Sequence, residues 1–193
     1  NEAFANSHRA HASMVALARR LPAYAGVSFA EEIFYLSRVR DNPRRPFVAV
    51  LGGAKLETKM SLIRRCLKDA DAVIIGGELA NTVFSLQGKE IGKSTADRKI
   101  GLKAGILLQS KKLYLPYDAV VVKKIDGNPG AHREKAMSDV NPDDYIVDVG
   151  RRSIQFFEPL LKHAAMIIWN GPFGYTVQPE FTRGTRALAK TIS

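Results

Sequence analysis

The chain has 193 residues, 46% of them apolar and 25% charged, a balance that excludes a disordered segment and supplies enough material for a real core. No apolar run approaches the roughly 18 residues of a membrane span, and a single cysteine, Cys66, excludes an internal disulfide framework. The formal net charge of +10 points to anionic partners, either a polyphosphorylated small molecule or nucleic acid. No secretory signal precedes the fold, so a cytoplasmic protein is expected. The start at Asn1 without Met and the stop inside a helical pattern at Ser193 read as an excised piece of something longer.

Residues 7–21 place Met14, Leu17 and Leu21 on one helical face, with Asn6 or Ser7 as N-cap and Pro22 as the stop. His8 and His11 stand at i, i+3, without the carboxylate or third ligand that a metal needs. Arg9 beside that helix start suits a carboxylate or phosphate held bidentately, or is a solvated helix end. A second helix is expected over 29–41, broken by Asn42-Pro43. The polar, basic, proline-bracketed stretch 41–46 marks a domain boundary.

The organising stretch is 47–59, FVAVLGGAKLETK, which reads as a buried strand, a glycine turn and the start of a helix. A strand that stops at two glycines and opens a helix presents backbone N–H groups to an anion. Lys55 and Lys59 lie four apart on one face. Like charges at that spacing cost roughly 0.2–0.5 kcal/mol, which a bound phosphate would offset. An ordinary surface lysine pair is the competing reading. Neither the P-loop spacing nor G-x-G-x-x-G is present.

Beyond it, helices are expected over 58–67, 78–86, 99–109 and 153–163, and from Phe181 onward. Strands are expected over 72–75, 113–115, 119–122, 145–149 and 166–169, and an irregular excursion over 125–141. Cys66, beside Ile63 and Leu67, reads as a small core or boundary residue. Short apolar strands alternating with amphipathic helices predict an α/β fold, a Rossmann-like parallel sheet with helices on both faces, preceded by helices from a second lobe. Ligands on such sheets bind at the strands' carboxyl ends. Gly52-Gly53, Gly76-Gly77, Gly150 and Gly171 mark four such ends, which predicts a ligand crevice on one rim of one sheet.

His8-Arg9-Ala10-His11-Ala12-Ser13, Gly52-Gly53-Ala54-Lys55 with Lys59, Ile75-Gly76-Gly77, Leu115-Pro116 and Trp169-Asn170-Gly171-Pro172 occur in order and at compatible spacings. Together they resemble the phosphoglycerate kinase family, across essentially the whole chain. The resemblance implies reversible phosphoryl transfer between 1,3-bisphosphoglycerate and Mg-ADP, giving 3-phosphoglycerate and ATP in glycolysis. It implies that residues 1–24 end an acid-binding lobe, that 25–45 form a hinge helix and linker, and that 46–193 form most of a nucleotide lobe. It further implies that Arg9 binds phosphoglycerate and that Lys59 holds nucleotide phosphates. Lys55 is implied to be the catalytic lysine beside the transferred phosphoryl group. Gly53, Gly77, Val147, Asn170 and Pro172 would line the nucleotide cleft, with Val147 against the adenine. Phosphoryl transfer needs positioning and positive charge rather than a covalent nucleophile, which agrees with lysines and helix starts as the residues on offer.

The departures from the family pattern are specific. Its Gly-Gly-Gly-Asp stretch, whose aspartate serves the Mg²⁺ of the nucleotide, lies beyond Ser193. Val177 stands where the family carries a ribose-binding glutamate, with Glu180 displaced nearby. Glu78 replaces the third glycine after Ile75, and Arg151 replaces the proline after Asp148–Gly150. The isolated piece is therefore expected to be inactive. The expected partners are ATP or ADP and the phosphoglycerates, on a monomer without nucleic-acid or membrane contacts. Two rival readings are a basic nucleic-acid-binding α/β module and a divergent, non-catalytic nucleotide binder. The basic residues are scattered rather than interleaved with aromatics, which weighs against the first.

Overall fold

A computed structural model describes residues 1–54, 56–97, 107, 109–126 and 130–193. They divide into two compact units, Asn1–Arg44 and Arg45–Ser193.

The first unit holds a short 3-10 turn at Phe4–Asn6 and one regular helix, α1 (Val27–Asp41). The helix expected over 7–21 is instead a chain of turns. Met14 and Arg20 bond to carbonyls three residues back, Val15, Arg19 and Leu21 four back, and Leu17 five back. A helix of that length draws its stability from packing its apolar face, and here Leu17 and Leu21 remain 53% and 57% exposed. Helix α1 starts two residues earlier than expected because a distant carboxylate caps it. Glu2 accepts from the N–H groups of Val27 (3.0 Å), Ser28 (2.8 Å) and Phe29 (3.3 Å), three of the donors a helix start leaves unsatisfied. Phe4 packs edge-on against Phe29 beside this cap.

In the second unit the elements run β1 (Phe47–Leu51), α2 (Leu56–Asp69), β2 (Ala72–Ile75), α3 (Gly77–Leu86), β3 (Leu113–Tyr114), β4 (Asp118–Val122) and β5 (Arg133–Ala136). Then follow β6 (Tyr145–Val149), α4 (Arg151–Lys162), β7 (Met166–Asn170) and α5 (Arg183–Ile192). The helix expected over 99–109 lies outside the described residues, apart from Leu107 and Gln109.

Strands β3, β2, β1 and β7 form a parallel sheet in that order. Every residue of β1 and β2 is buried, as their unbroken apolar runs require of strands covered on both faces. Val48, Val50, Ala72 and Ile74 face one core with Phe157 and Leu161 of α4 and Leu188 of α5. The alternate positions of β1 and β2 face the other way, where α2 packs with Met60, Ile63 and Cys66 buried.

Strand Tyr145–Val149 does not join this sheet. It pairs antiparallel with β4 in a separate three-stranded sheet of order β5-β4-β6. Its polar Asp148 between Val147 and Val149 breaks the continuous apolar run that marks the parallel strands. Part of the excursion expected over 125–141 is also ordered. Arg-Glu-Lys-Ala at 133–136 pairs with β4 as an edge strand, which tolerates charged residues that a central strand would not. No helix among the described residues is long and apolar enough to cross a membrane.

Candidate functional site

From β1 the chain steps outward to β2 and β3, then returns to β7 on the opposite side of β1. This reversal puts a topological switch point between the carboxyl ends of β1 and β7, the position where open α/β sheets receive ligands. Two turns meet there. Gly52 N–H donates to the Asn170 carbonyl (2.8 Å) and Gly53 N–H to the Pro172 carbonyl (2.7 Å). The approach is so close that a Cβ on Gly52 would lie 2.2 Å from the Pro172 oxygen. Gly53 and Gly171 also hold left-handed backbone, at φ +81° and +80°. The third turn locks onto the first. Gly76 N–H donates to the Leu51 carbonyl (3.0 Å), and Leu79 N–H, in the first turn of α3, donates to the Gly53 carbonyl (3.2 Å).

These turns bound a cleft of about 500 Å³ between α3 and β6. Gly53, Gly77, Val147 and Pro172 all line it. Val147 arrives from the antiparallel sheet, opposite the strand ends, and forms an apolar wall with Ala80, Phe84 and Met137. Asn170 does not line the cleft; its side chain is exposed, and its carbonyl secures Gly52. Lys59 donates from Nζ to the Gly52 carbonyl (2.6 Å), so it flanks the same dipeptide that Asn170 holds. Partial burial lowers the pKa of this ammonium from its ordinary value. Lys55 lies outside the described residues. Arg9 belongs to the first unit, where it is exposed.

Gly150 departs from the expected common rim. It ends β6, not a parallel strand, and a Cβ there would meet the Asp118 carboxylate at 2.3 Å. Asp118 caps α4, accepting from the N–H groups of Arg152 (3.0 Å) and Ser153 (2.8 Å). The Ser153 hydroxyl donates back to that carboxylate and accepts from the N–H groups of Tyr117 and Asp118. Two of the N–H groups at the start of α4 are thus occupied by this carboxylate.

Asp148 performs the same service for α5. It accepts from Gly184 N–H (2.7 Å) and Val149 N–H (2.9 Å). Burial pushes its carboxyl up to about 6, against the pull of those two donors. Glu78, half-buried at the start of α3, accepts at Oε2 from the Thr95 hydroxyl (3.0 Å). Asp118 and Asp148 carry no motif of their own in the sequence. The one visible signal was a lone acidic residue inside an otherwise apolar strand. Among the described residues no group of three His, Cys, Asp or Glu side chains lies together to hold a metal ion.

The family model described as phosphoglycerate kinase matches residues 1–193. Over 198 residues the chain is 41% identical to the phosphoglycerate kinase of Syntrophobacter fumaroxidans, covering 100% of this chain and 50% of that protein. Over 195 residues it is 40% identical to that of Listeria monocytogenes, again covering 100% of this chain and 49% of the relative. The phosphoglycerate kinase structure from Coxiella burnetii superposes with a TM-score of 0.86 at 35% identity, over 98% of this chain and 50% of that one. That from Pyrococcus horikoshii superposes with a TM-score of 0.80 at 29% identity, over 98% of this chain and 49% of that one. The chain therefore spans about half the length of the relatives it matches. On the strength of the whole-length match, the chain belongs to the phosphoglycerate kinase family.

Proposed function

We propose that the second unit is the nucleotide-binding part of a cytoplasmic phosphoglycerate kinase, which moves a phosphoryl group between 1,3-bisphosphoglycerate and Mg-ADP. The observation that carries this reading is the convergence of three interlocked glycine turns on one cleft at a topological switch point. In this reading the nucleoside lies between Gly53, Gly77, Pro172 and Val147, with the purine against Val147. Its phosphates extend toward Lys59, whose ammonium turns from the Gly52 carbonyl to the phosphate oxygens. Partial burial of that charge strengthens its pull on a phosphate relative to a fully solvated lysine. Lys55, from its place in the sequence, neutralises the group in transfer, and Arg9 holds the carboxylate or phosphate of the acid substrate. Residues 1–24, 25–45 and 46–193 take the roles of acid-lobe end, hinge and nucleotide lobe, and the parent acts as a monomer. Magnesium accompanies the nucleotide. The described residues include no cluster of His, Cys, Asp or Glu that fits it.

The test is a coupled ATP-synthesis assay on the full-length protein, its Lys59→Ala variant and the 193-residue chain. Turnover by the full-length protein, a large loss in Lys59→Ala and background rates from the short chain are expected. A full-length protein without turnover would refute the reading.

A further inference from the structure

The described lining of the cleft contains three carboxylates, Glu78, Asp118 and Asp148, and no lysine, arginine or histidine. Such a wall repels phosphate. It therefore faces the base, while the phosphates lie toward Lys59. Two of the three carboxylates are committed elsewhere. Asp118 is consumed by the first turn of α4 and Asp148 by the first turn of α5 and Val149. Glu78 is different. Only Oε2 is engaged, by Thr95, and among the described residues nothing donates to Oε1. A carboxylate oxygen has two lone pairs, so Oε2 also retains one for a further donor.

The purines differ in what they present to such a group. The Watson–Crick edge of guanine carries two adjacent donors, N1–H and the N2 amine, spaced to meet both oxygens of one carboxylate. Adenine offers one donor, the N6 amine, beside an acceptor at N1, so it can pair with one carboxylate oxygen but faces the other lone pair to lone pair. A site built around a charged acceptor discriminates strongly against a ligand that leaves it unpaired.

Resting on the nucleotide-cleft reading above, we propose that Glu78 makes this cleft prefer guanine over adenine nucleotides, by accepting from N1–H and the N2 amine, so that GDP is the tighter-binding phosphoryl acceptor in the same reaction and ADP the weaker one. The apolar wall of Val147, Ala80, Phe84 and Met137 packs the ring, and Thr95 keeps the carboxylate oriented.

Calorimetric titration of the chain with GDP, IDP and ADP, for the wild type and for Glu78→Gln and Glu78→Gly, tests it. The wild type should bind GDP about tenfold or more tightly than ADP, with IDP, which lacks the N2 amine, between them. Both variants should lose that preference chiefly through weaker GDP binding, with ADP changing little. Equal or tighter binding of ADP by the wild type would overturn the inference while leaving the cleft reading intact. So would an unchanged GDP-to-ADP ratio in both variants. Binding of none of the three would overturn the inference together with the cleft reading.

Discussion

Replacing Asp148 by Asn tests how the second unit is held together. Asp148 is 3% exposed and ties β6 to the first turn of α5 through Gly184. Burial raises its carboxyl from the ordinary 3.8 to about 6 in the folded chain. The folded state therefore binds this proton more tightly than the unfolded state does. The stabilisation is fully present below pH 3.8, and it is lost as pH rises through about 6. A displacement of that size, already net of the two opposing donors, corresponds to about 3 kcal/mol. Asn is close in shape and never ionises, so Asp148→Asn lacks this pH dependence. It does carry a constant penalty, because its amide NH₂ opposes one of the two N–H donors. Urea unfolding of both proteins between pH 4 and 7.5, followed by circular dichroism, gives the stability difference at each pH. Carboxylates shared by both proteins, including Asp71 and Asp143 with their lowered values, cancel in that difference. The wild type should lose about 2–3 kcal/mol relative to the variant across this range. A difference that stays constant with pH would show that burial does not perturb Asp148.

Gly52→Ala should lower stability by about 2 kcal/mol or more, because its Cβ drives apart a turn pair joined by two backbone hydrogen bonds. An unchanged melting temperature would mean that the β1 and β7 turns are not in contact. Phe157→Ala should cost about 3–5 kcal/mol by urea unfolding, since the ring is fully buried beside Phe173 between the sheet and α4. A loss below about 1 kcal/mol would place it outside the core. Val177→Glu should tighten ADP binding about tenfold, by restoring a carboxylate beside the cleft for the ribose hydroxyls. Glu180 faces a separate groove with His132 and Arg183, so Glu180→Ala should leave ADP affinity unchanged. The reverse pattern in calorimetry would mean that Glu180 serves the ribose.

The parallel sheet was legible because its central strands, β1 and β2, are short, unbroken apolar runs that end in glycine pairs. Phe47–Leu51 and Ala72–Ile75 need no tertiary information to be read, and the close approach of Gly52 to Pro172 explains why glycine stands there. Tyr145–Val149 is equally visible as a strand, but its sheet is not. Pairing with β4 rather than with β1 or β7 is a long-range choice, signalled only by the buried aspartate that interrupts its apolar run. The caps are not legible in the sequence for a similar reason. Glu2 reaches α1 from 25 residues away and Asp118 reaches α4 from 35, whereas sequence rules for capping look three residues ahead. At 7–21 a correct apolar spacing overstated the helix, because periodicity says which face can be buried and not whether anything buries it.

The most direct test of the account is a ¹H–¹⁵N correlation spectrum of the chain titrated with ADP. Nucleotide binding at the switch-point cleft should shift the amides of Gly53, Gly77 and Val147, with smaller changes along α4. Shifts confined to other surfaces, or none at millimolar ADP, would contradict the assignment of this cleft as the nucleotide site.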